Sequence, residues 1–368
     1  MANLKKLIIH PGFHKTGTTA LQQALSEVRA DLLEVNYFYP HTAGNAHHRA
    51  AWSIIEKTWG WKKRGGRRTA PIEWQKLEKK LKRYKGTAII SSEFFSEADS
   101  KQLAILVEKL RGTDVQVVFT WRPLPFMLAS SYQQYLKYGV KISYQEWLDS
   151  IFEGDSKFTP SFWKRNLHGD VVERWVQAFG AANVSLIAVD ETDPNFLYGS
   201  FSELTGIPNG ILREPTHKEL NRSLTFNEAA LLLEINRTYP KDLDWDSYEI
   251  FIRKGNIKAL TGSEKFEKSD EKFLTPDWAV AKATEINLQS INKIKSLGIK
   301  IIGDIDRSDF SRIPIGINSP VATISIETVA RAMIGVNMES LEKMHGKAIS
   351  KEFFYRLKLI LRRRLHLN

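Results

Sequence analysis

The feature that most constrains this chain is a glycine-bearing loop between a buried strand and a helix. "KLIIHP" (6–11) is a short β-branched run, "TTALQQALSEV" (18–28) has helical spacing, and between them Gly12 and Gly17 stand four residues apart. Strand, glycine turn and helix in that order open a parallel α/β sheet. The unit then recurs. "GTAIISSE" (86–93) predicts a second strand, "SKQLAILVEKLRG" (100–112) a helix and "DVQVVFTW" (114–121) a third strand. "LPFMLASSYQQYLKYG" (124–139) predicts a helix, and "DVVERWVQAFG" with "NVSLIAVDE" (170–191) a further helix–strand pair. The expectation is a three-layer α/β fold with a mainly parallel central sheet and ligands at the carboxyl ends of its strands.

Past about residue 210 the pattern turns helical, over 226–239, 278–298 and 325–344, with one strand at "IKIIGD" (299–304). The chain therefore reads as a core over 1–210 and a mostly helical C-terminal extension over 211–368 packed on it. The tail "EFFYRLKLILRRRLHLN" (352–368) is a basic amphipathic helix. It suits a capping helix with a solvated charged face better than a peripheral contact at the inner face of a membrane.

Charge narrows the partners. Lys plus Arg is 53 against 42 Asp plus Glu, a net +11, which favours anionic ligands. The absence of cysteine excludes disulfides, thiol nucleophiles and Cys-based zinc sites. The apolar run 7–9 is far shorter than the core of a signal peptide, so the expected setting is cytoplasmic. No helix-turn-helix, zinc spacing or RNP-like aromatic pattern supports nucleic-acid binding.

The spacing of Gly12 and Gly17 is that of a Walker A loop, which places Lys and Ser/Thr directly after the second glycine. Here Thr18 and Thr19 stand there, and the lysine is inside the loop at Lys15. Backbone N–H groups from Gly12 to Thr18 can converge on an anion, the helix N-terminus adds partial positive charge, and Thr16, Thr18 and Thr19 offer hydroxyls. An embedded lysine suits a smaller terminal anion held without a metal ion.

"KTGTT" after a first strand resembles the 5′-phosphosulfate loop of sulfotransferases that use 3′-phosphoadenosine 5′-phosphosulfate (PAPS). A second motif points the same way. In "WRPLPFMLASSYQQY", Arg122 ends the third strand and Ser130 lies eight positions on, about two helical turns, so both can address one phosphate. This resembles the family's 3′-phosphate element. The likeness runs loosely over 6–205 and implies a P-loop-like fold with sulfuryl transfer from PAPS to a hydroxyl, less readily an amine, of a carbohydrate or glycolipid. It implies that Gly12, His14, Lys15, Thr16, Gly17, Thr18, Thr19, Arg122 and Ser130 bind PAPS as co-substrate, with no metal.

In-line sulfuryl transfer needs a donor for charge developing on the bridging oxygen, for which Lys15 is the candidate, and a base for the acceptor. Glu93, ending "AIISSE", is the first choice of base; a capping or surface carboxylate is the plain reading of the same residue. His47 and His48, in "GNAHHRAAW", are its rivals, and His14 more simply orients the loop. Asn221, Arg222 and Ser223 form a polar cluster in which Ser223 or Thr225 serves as an N-cap. Trp52, Trp59 and Trp61 can stack on sugar or adenine, although core packing is the simpler reading. "KKRGGRR" (62–68) reads as a flexible basic run. Three other readings stay open: a P-loop kinase using ATP and Mg²⁺, a nucleic-acid binder, and a PAPS-binding module without turnover. The acceptor's identity and the oligomeric state are not encoded in any recognisable pattern.

Overall fold

The structure is a computed structural model that describes residues 4–42, 44–154, 156–216, 222–262 and 272–342. Asn221 and the basic tail 352–368 lie outside the described residues.

Eight strands are described: β1 Lys6–His10, β2 Tyr37–Phe38, β3 Thr58–Trp59, β4 Arg67–Arg68, β5 Thr87–Ser91, β6 Asp114–Trp121, β7 Val184–Ala188 and β8 Lys300–Ile302. Six of them form one sheet in the order β2-β5-β1-β6-β7-β8, with every pairing parallel. The remaining two, β3 and β4, make a small antiparallel ribbon. Parallel pairing requires crossover connections, and helices supply them on both faces.

Alternation along the strands explains the three layers. Leu7, Ile9, Ala88, Ile90, Val117 and Phe119 point to one face, under the helices Ile72–Lys82, Ser100–Lys109, His168–Phe179 and Asp277–Ser296. Ile8, Ile89, Val118 and Ile187 point to the other, under Thr18–Glu27 and Phe196–Thr205. Strands buried on both faces read as continuous apolar runs, which is why β1, β5, β6 and β7 were visible in the sequence whereas the two-residue β2 was not.

A second core lies beside the sheet and is helical. It joins Leu128, Tyr132, Trp147 and Phe162 to Leu232, Trp245, Tyr248 and Ala283, so its packing draws on residues from both sides of position 210. The sheet is shared across that position too, since β8 pairs with β7. The basic run 62–68 is not a free loop. Arg67–Arg68 pairs in the ribbon, and the Arg64 guanidinium lies 4.7 Å over the Trp61 ring and donates to the carbonyls of Pro240 (2.6 Å) and Leu243. Trp61 itself sits among Tyr239, Trp245 and Tyr248, in the second core rather than at a ligand site. Among the described residues no helix is long and apolar enough to cross a membrane.

Candidate active site

β1 and β6 are neighbours whose outgoing connections run to opposite sides of the sheet, β1 toward β2 and β5, and β6 toward β7. Such a switch point opens a crevice at the strand ends. The loop 11–17 fills it. Gly12, Lys15 and Gly17 all have positive φ (53°, 67° and 83°). A lysine in the left-handed region is strained, and such strain collects at ligand sites. Glycine is required at position 12 by space as well, because a Cβ there would stand 2.6 Å from Thr18 Oγ1.

The loop is anchored from beneath. Phe13 is fully buried, stacked 5.0 Å from Phe119 and tilted against the His168 ring at 4.1 Å. Its carbonyl accepts from the hydroxyls of Thr16 (2.8 Å) and Thr18 (3.0 Å). Those two hydroxyls are therefore turned inward, which corrects the expectation that they face a ligand. Thr19 is the exposed threonine of the loop, and Thr16 and Thr18 retain only backbone N–H groups for an anion.

A directional chain of hydrogen bonds ties this anchor to the sheet. Thr16 spends its proton on Phe13 O, so Thr120 Oγ1 donates to Thr16 Oγ1 at 2.8 Å. His10 Nε2–H then donates to Thr120 (3.2 Å), and His10 Nδ1 accepts from Ser91 Oγ (2.8 Å), which accepts from Gln22 Nε2 (3.1 Å). Burial lowers the His10 pKa to about 4, with Glu93 opposing, so the ring is neutral and one tautomer satisfies every link.

Above the loop, the helix Thr18–Glu27 starts on left-handed Gly17 with no side-chain cap and no acidic residue in its first turn. The N–H groups of a first turn need an acceptor from elsewhere, and an anion serves. Lys15 is solvent-accessible beside them. Burial of the ammonium lowers its pKa, Arg122 adds to this and Glu93 opposes it. Arg122 donates to the Lys15 carbonyl at 3.0 Å and pairs with Glu191.

Loop and helix form one end of a cleft of about 1520 Å³ whose lining includes His14, Lys15, Gly17, Thr18, Thr19 and Glu93. Arg122 and Ser130 are not in that lining, whereas Ser131 is. Ser130 Oγ instead donates to Met127 O at 3.1 Å. Counting two α-helical turns from Arg122 missed this because Leu124–Met127 is a 3-10 turn, with fewer residues per turn, so the helix Leu128–Leu136 begins in a different phase.

Glu93 starts a short 3-10 helix after β5, with its carboxylate 3.3 Å from Gln22 Nε2 and 3.7 Å from His48 Nδ1. Burial pushes its pKa up, and the facing His48 and His14 rings together with Gln22 more than offset this, leaving it below the ordinary value. The carboxylate is thus ionised at neutral pH and able to accept a proton. His48 Nδ1 lies 2.9 Å from Ser92 Oγ. Glu93 and His48 are neighbours, and Glu93 is the one that lines the cleft.

His47 cannot serve as a base, which corrects that expectation. Its Nδ1 accepts from Ser91 N–H (3.1 Å), its Nε2–H donates to Pro40 O (3.0 Å), and it is 1% exposed. Burial first lowers its pKa, to about 4, and both ring nitrogens are committed to holding β5.

Some site residues carried no recognisable signal. Glu97, 5% exposed, binds Lys57 Nζ at 2.7 Å, Arg165 Nε at 3.0 Å and His14 Nε2 at 3.2 Å. Arg165 lines the cleft. Burial raises the Glu97 pKa, but Arg165, His14 and Lys57 outweigh it and hold the carboxyl far below its ordinary value. The response of the cations is not symmetric: burial and Arg165 bring Lys57 down to about 8 in spite of Glu97, because two cations share one carboxylate. Burial and Arg165 likewise lower His14. Arg222 forms a two-pronged pair with Glu228 (2.7 Å each), and Thr225 with Glu228 makes the capping box of the helix Phe226–Thr238. Among the described residues no group of three or more His, Cys, Asp or Glu is placed to hold a metal ion.

No family model and no curated protein matches the chain. Among solved structures it is similar to a sulfotransferase from Alicyclobacillus acidocaldarius, at 16% identity and a TM-score of 0.42, over 59% of this chain and 87% of that one.

Proposed function

We propose that this protein is a PAPS-dependent sulfotransferase that sulfates a hydroxyl of a carbohydrate or glycolipid acceptor. The observation that carries the reading is the uncapped helix start at Gly17, directly after a strained loop with Lys15 exposed and Arg122 against its carbonyl. Those features fit a small terminal anion with a ribonucleotide attached. The first-turn N–H groups, Lys15 and the Thr19 hydroxyl would hold the 5′-phosphosulfate, and Arg122 the 3′-phosphate. At the end of β6, where a Mg²⁺-dependent kinase needs a carboxylate, the chain has Arg122.

When bound, PAPS supplies the transferable sulfuryl group. The protein's part is to orient it through the loop and to place Lys15 where charge develops on the bridging oxygen. Glu93, ionised and in the cleft, takes the proton of the acceptor hydroxyl, with His48 beside it as the alternative base. A cytoplasmic setting belongs to the same proposal.

Calorimetric titration with 3′-phosphoadenosine 5′-phosphate, against ATP plus Mg²⁺, tests it. Metal-independent binding of the former, weakened at least tenfold by Lys15→Met and by Arg122→Ala, is expected. Preference for ATP with Mg²⁺ overturns the reading in favour of a kinase.

A further inference from the structure

The cleft is larger than its loop end requires. Single small-molecule sites occupy about 300–1,000 Å³, and this cleft encloses about 1520 Å³. Its far wall comes from the second half of the chain, where Glu249–Ile257 forms a nine-residue π-helix. Long π-helices are rare, and π-type turns gather at functional sites. This one presents Arg253 and Lys254 to the cleft, and Lys258 follows them.

The wall is rigid. A Cβ on Gly255 would meet Val336 Cα at 3.0 Å, and one on Gly335 would meet Ala259 Cβ at 2.5 Å, so the π-helix is pressed against the helix over 326–342 with no room between. Arg253 is held in place by Glu249 and by the faces of Tyr138 (4.5 Å) and Trp245 (5.7 Å).

Between this wall and the loop stands Lys137, at the end of the helix Leu128–Leu136. Among the described residues its ammonium has no hydrogen-bond or ion-pair partner. Burial first, then Lys15, Arg253 and Arg222, bring its pKa down to about 8, and Glu228 opposes them. Of the cleft's carboxylates, Glu249 is engaged by Arg253 and Glu93 stands by the loop; Glu214, Glu339 and Glu342 also line it and are not among the main charges acting on Lys137. A half-buried lysine facing other cations is a costly arrangement unless an anion completes it.

We propose that Lys137 and Arg253 form a second anion subsite, separate from the loop, which takes a carboxylate or sulfate group of the acceptor. The acceptor is then an acidic saccharide rather than a neutral one. This rests on the loop being the seat of the nucleotide. Lys137 binds the acceptor's charge and Lys15 the transferring group, and the two lysines are bridged by the reactants.

The test uses protein saturated with 3′-phosphoadenosine 5′-phosphate, titrated with sucrose octasulfate and, in parallel, with unsulfated sucrose. Wild type should bind the sulfated probe without displacing the nucleotide and should ignore sucrose. Lys137→Met, which keeps the apolar stem and orphans no partner among the described residues, should weaken probe binding at least tenfold while changing nucleotide affinity less than twofold. Probe binding that competes with the nucleotide, or survives in Lys137→Met, overturns the subsite. So does a Lys137→Met variant that loses nucleotide affinity instead, because Lys137 then belongs to the donor. If wild type binds no nucleotide, the reading of the loop fails separately. The subsite is then decided by whether probe binding to the nucleotide-free protein depends on Lys137.

Discussion

Glu97→Gln is predicted to be the most damaging single charge change in this molecule, and the asymmetry of its cluster says how damaging. The substitution keeps the shape and removes one negative charge from a site 5% exposed, where Lys57 at 2.7 Å, Arg165 at 3.0 Å and His14 at 3.2 Å converge. Two buried cations are left facing each other without a counterion. Breaking a buried pair from one side costs about 3–5 kcal/mol, and the upper half of that range is expected because the one carboxylate serves both cations. Lys57→Met should behave differently. Burial and Arg165 already outweigh Glu97 at Lys57, bringing its pKa to about 8, so removing the ammonium relieves repulsion while Arg165 still balances Glu97. A change within about 1 kcal/mol, of either sign, is expected there. The double variant should recover part of the Glu97→Gln loss. Urea unfolding at pH 7, followed by tryptophan fluorescence, measures all three. Glu97→Gln within 1 kcal/mol of wild type, or Lys57→Met as costly as Glu97→Gln, would refute the reasoning. The pH dependence has a definite sign. The folded pKa of Glu97 lies far below its unfolded value, so its contribution is present above about pH 4.5 and is lost as pH falls through the folded pKa. The acid limb of the stability curve should be flatter in Glu97→Gln.

Gly17→Ala places a Cβ at φ 83° and 3.1 Å from Leu197 Cδ2; a loss of about 1–2 kcal/mol in urea unfolding is expected, together with weaker nucleotide binding by calorimetry. Glu93→Gln should abolish sulfuryl transfer and leave nucleotide affinity within twofold. Retained turnover there, with loss in His48→Ala, would pass the base role to His48. Lys137→Met should be at least as stable as wild type at pH 7. The folded chain binds fewer protons than the unfolded one between about pH 8 and 10.5, so wild-type stability rises with pH across that window, a rise the variant lacks; thermal unfolding between pH 7 and 10 reads it.

The sheet was legible because strands buried on both faces leave short β-branched runs that need no tertiary context. "DVQVVFTW" is β6 to the residue, and "KLIIHP" and "GTAIISSE" contain β1 and β5 with an end residue or two to spare. The loop was legible for a related reason, since its glycines are fixed by backbone geometry. Much of the remaining site was not. Glu97, Arg165 and Lys137 come from separate segments and meet only after folding, and a charged residue in a helix reads the same whether it faces a cleft or water. His47 misled because histidine's chemistry suggests a base, whereas its hydrogen bonds to Ser91 and Pro40 are visible only in three dimensions. The phase of Ser130 failed on one tight turn, which spacing alone does not reveal.

The π-helix at 249–257 turns Arg253 and Lys254 to the cleft and Ile252 and Ile257 to the second core. Each residue in an α-helix advances about 100° around the axis, so deleting one residue from this segment would re-index every side chain after it relative to the wall. Arg253 and Lys258 would change places with their neighbours, while Trp245 and Leu260 at either end could still be recovered by the core they occupy. Insertions and deletions of single residues here are therefore a route by which descendants of this chain can exchange one recognition surface for another without first redesigning the loop, the sheet or the chemistry they carry.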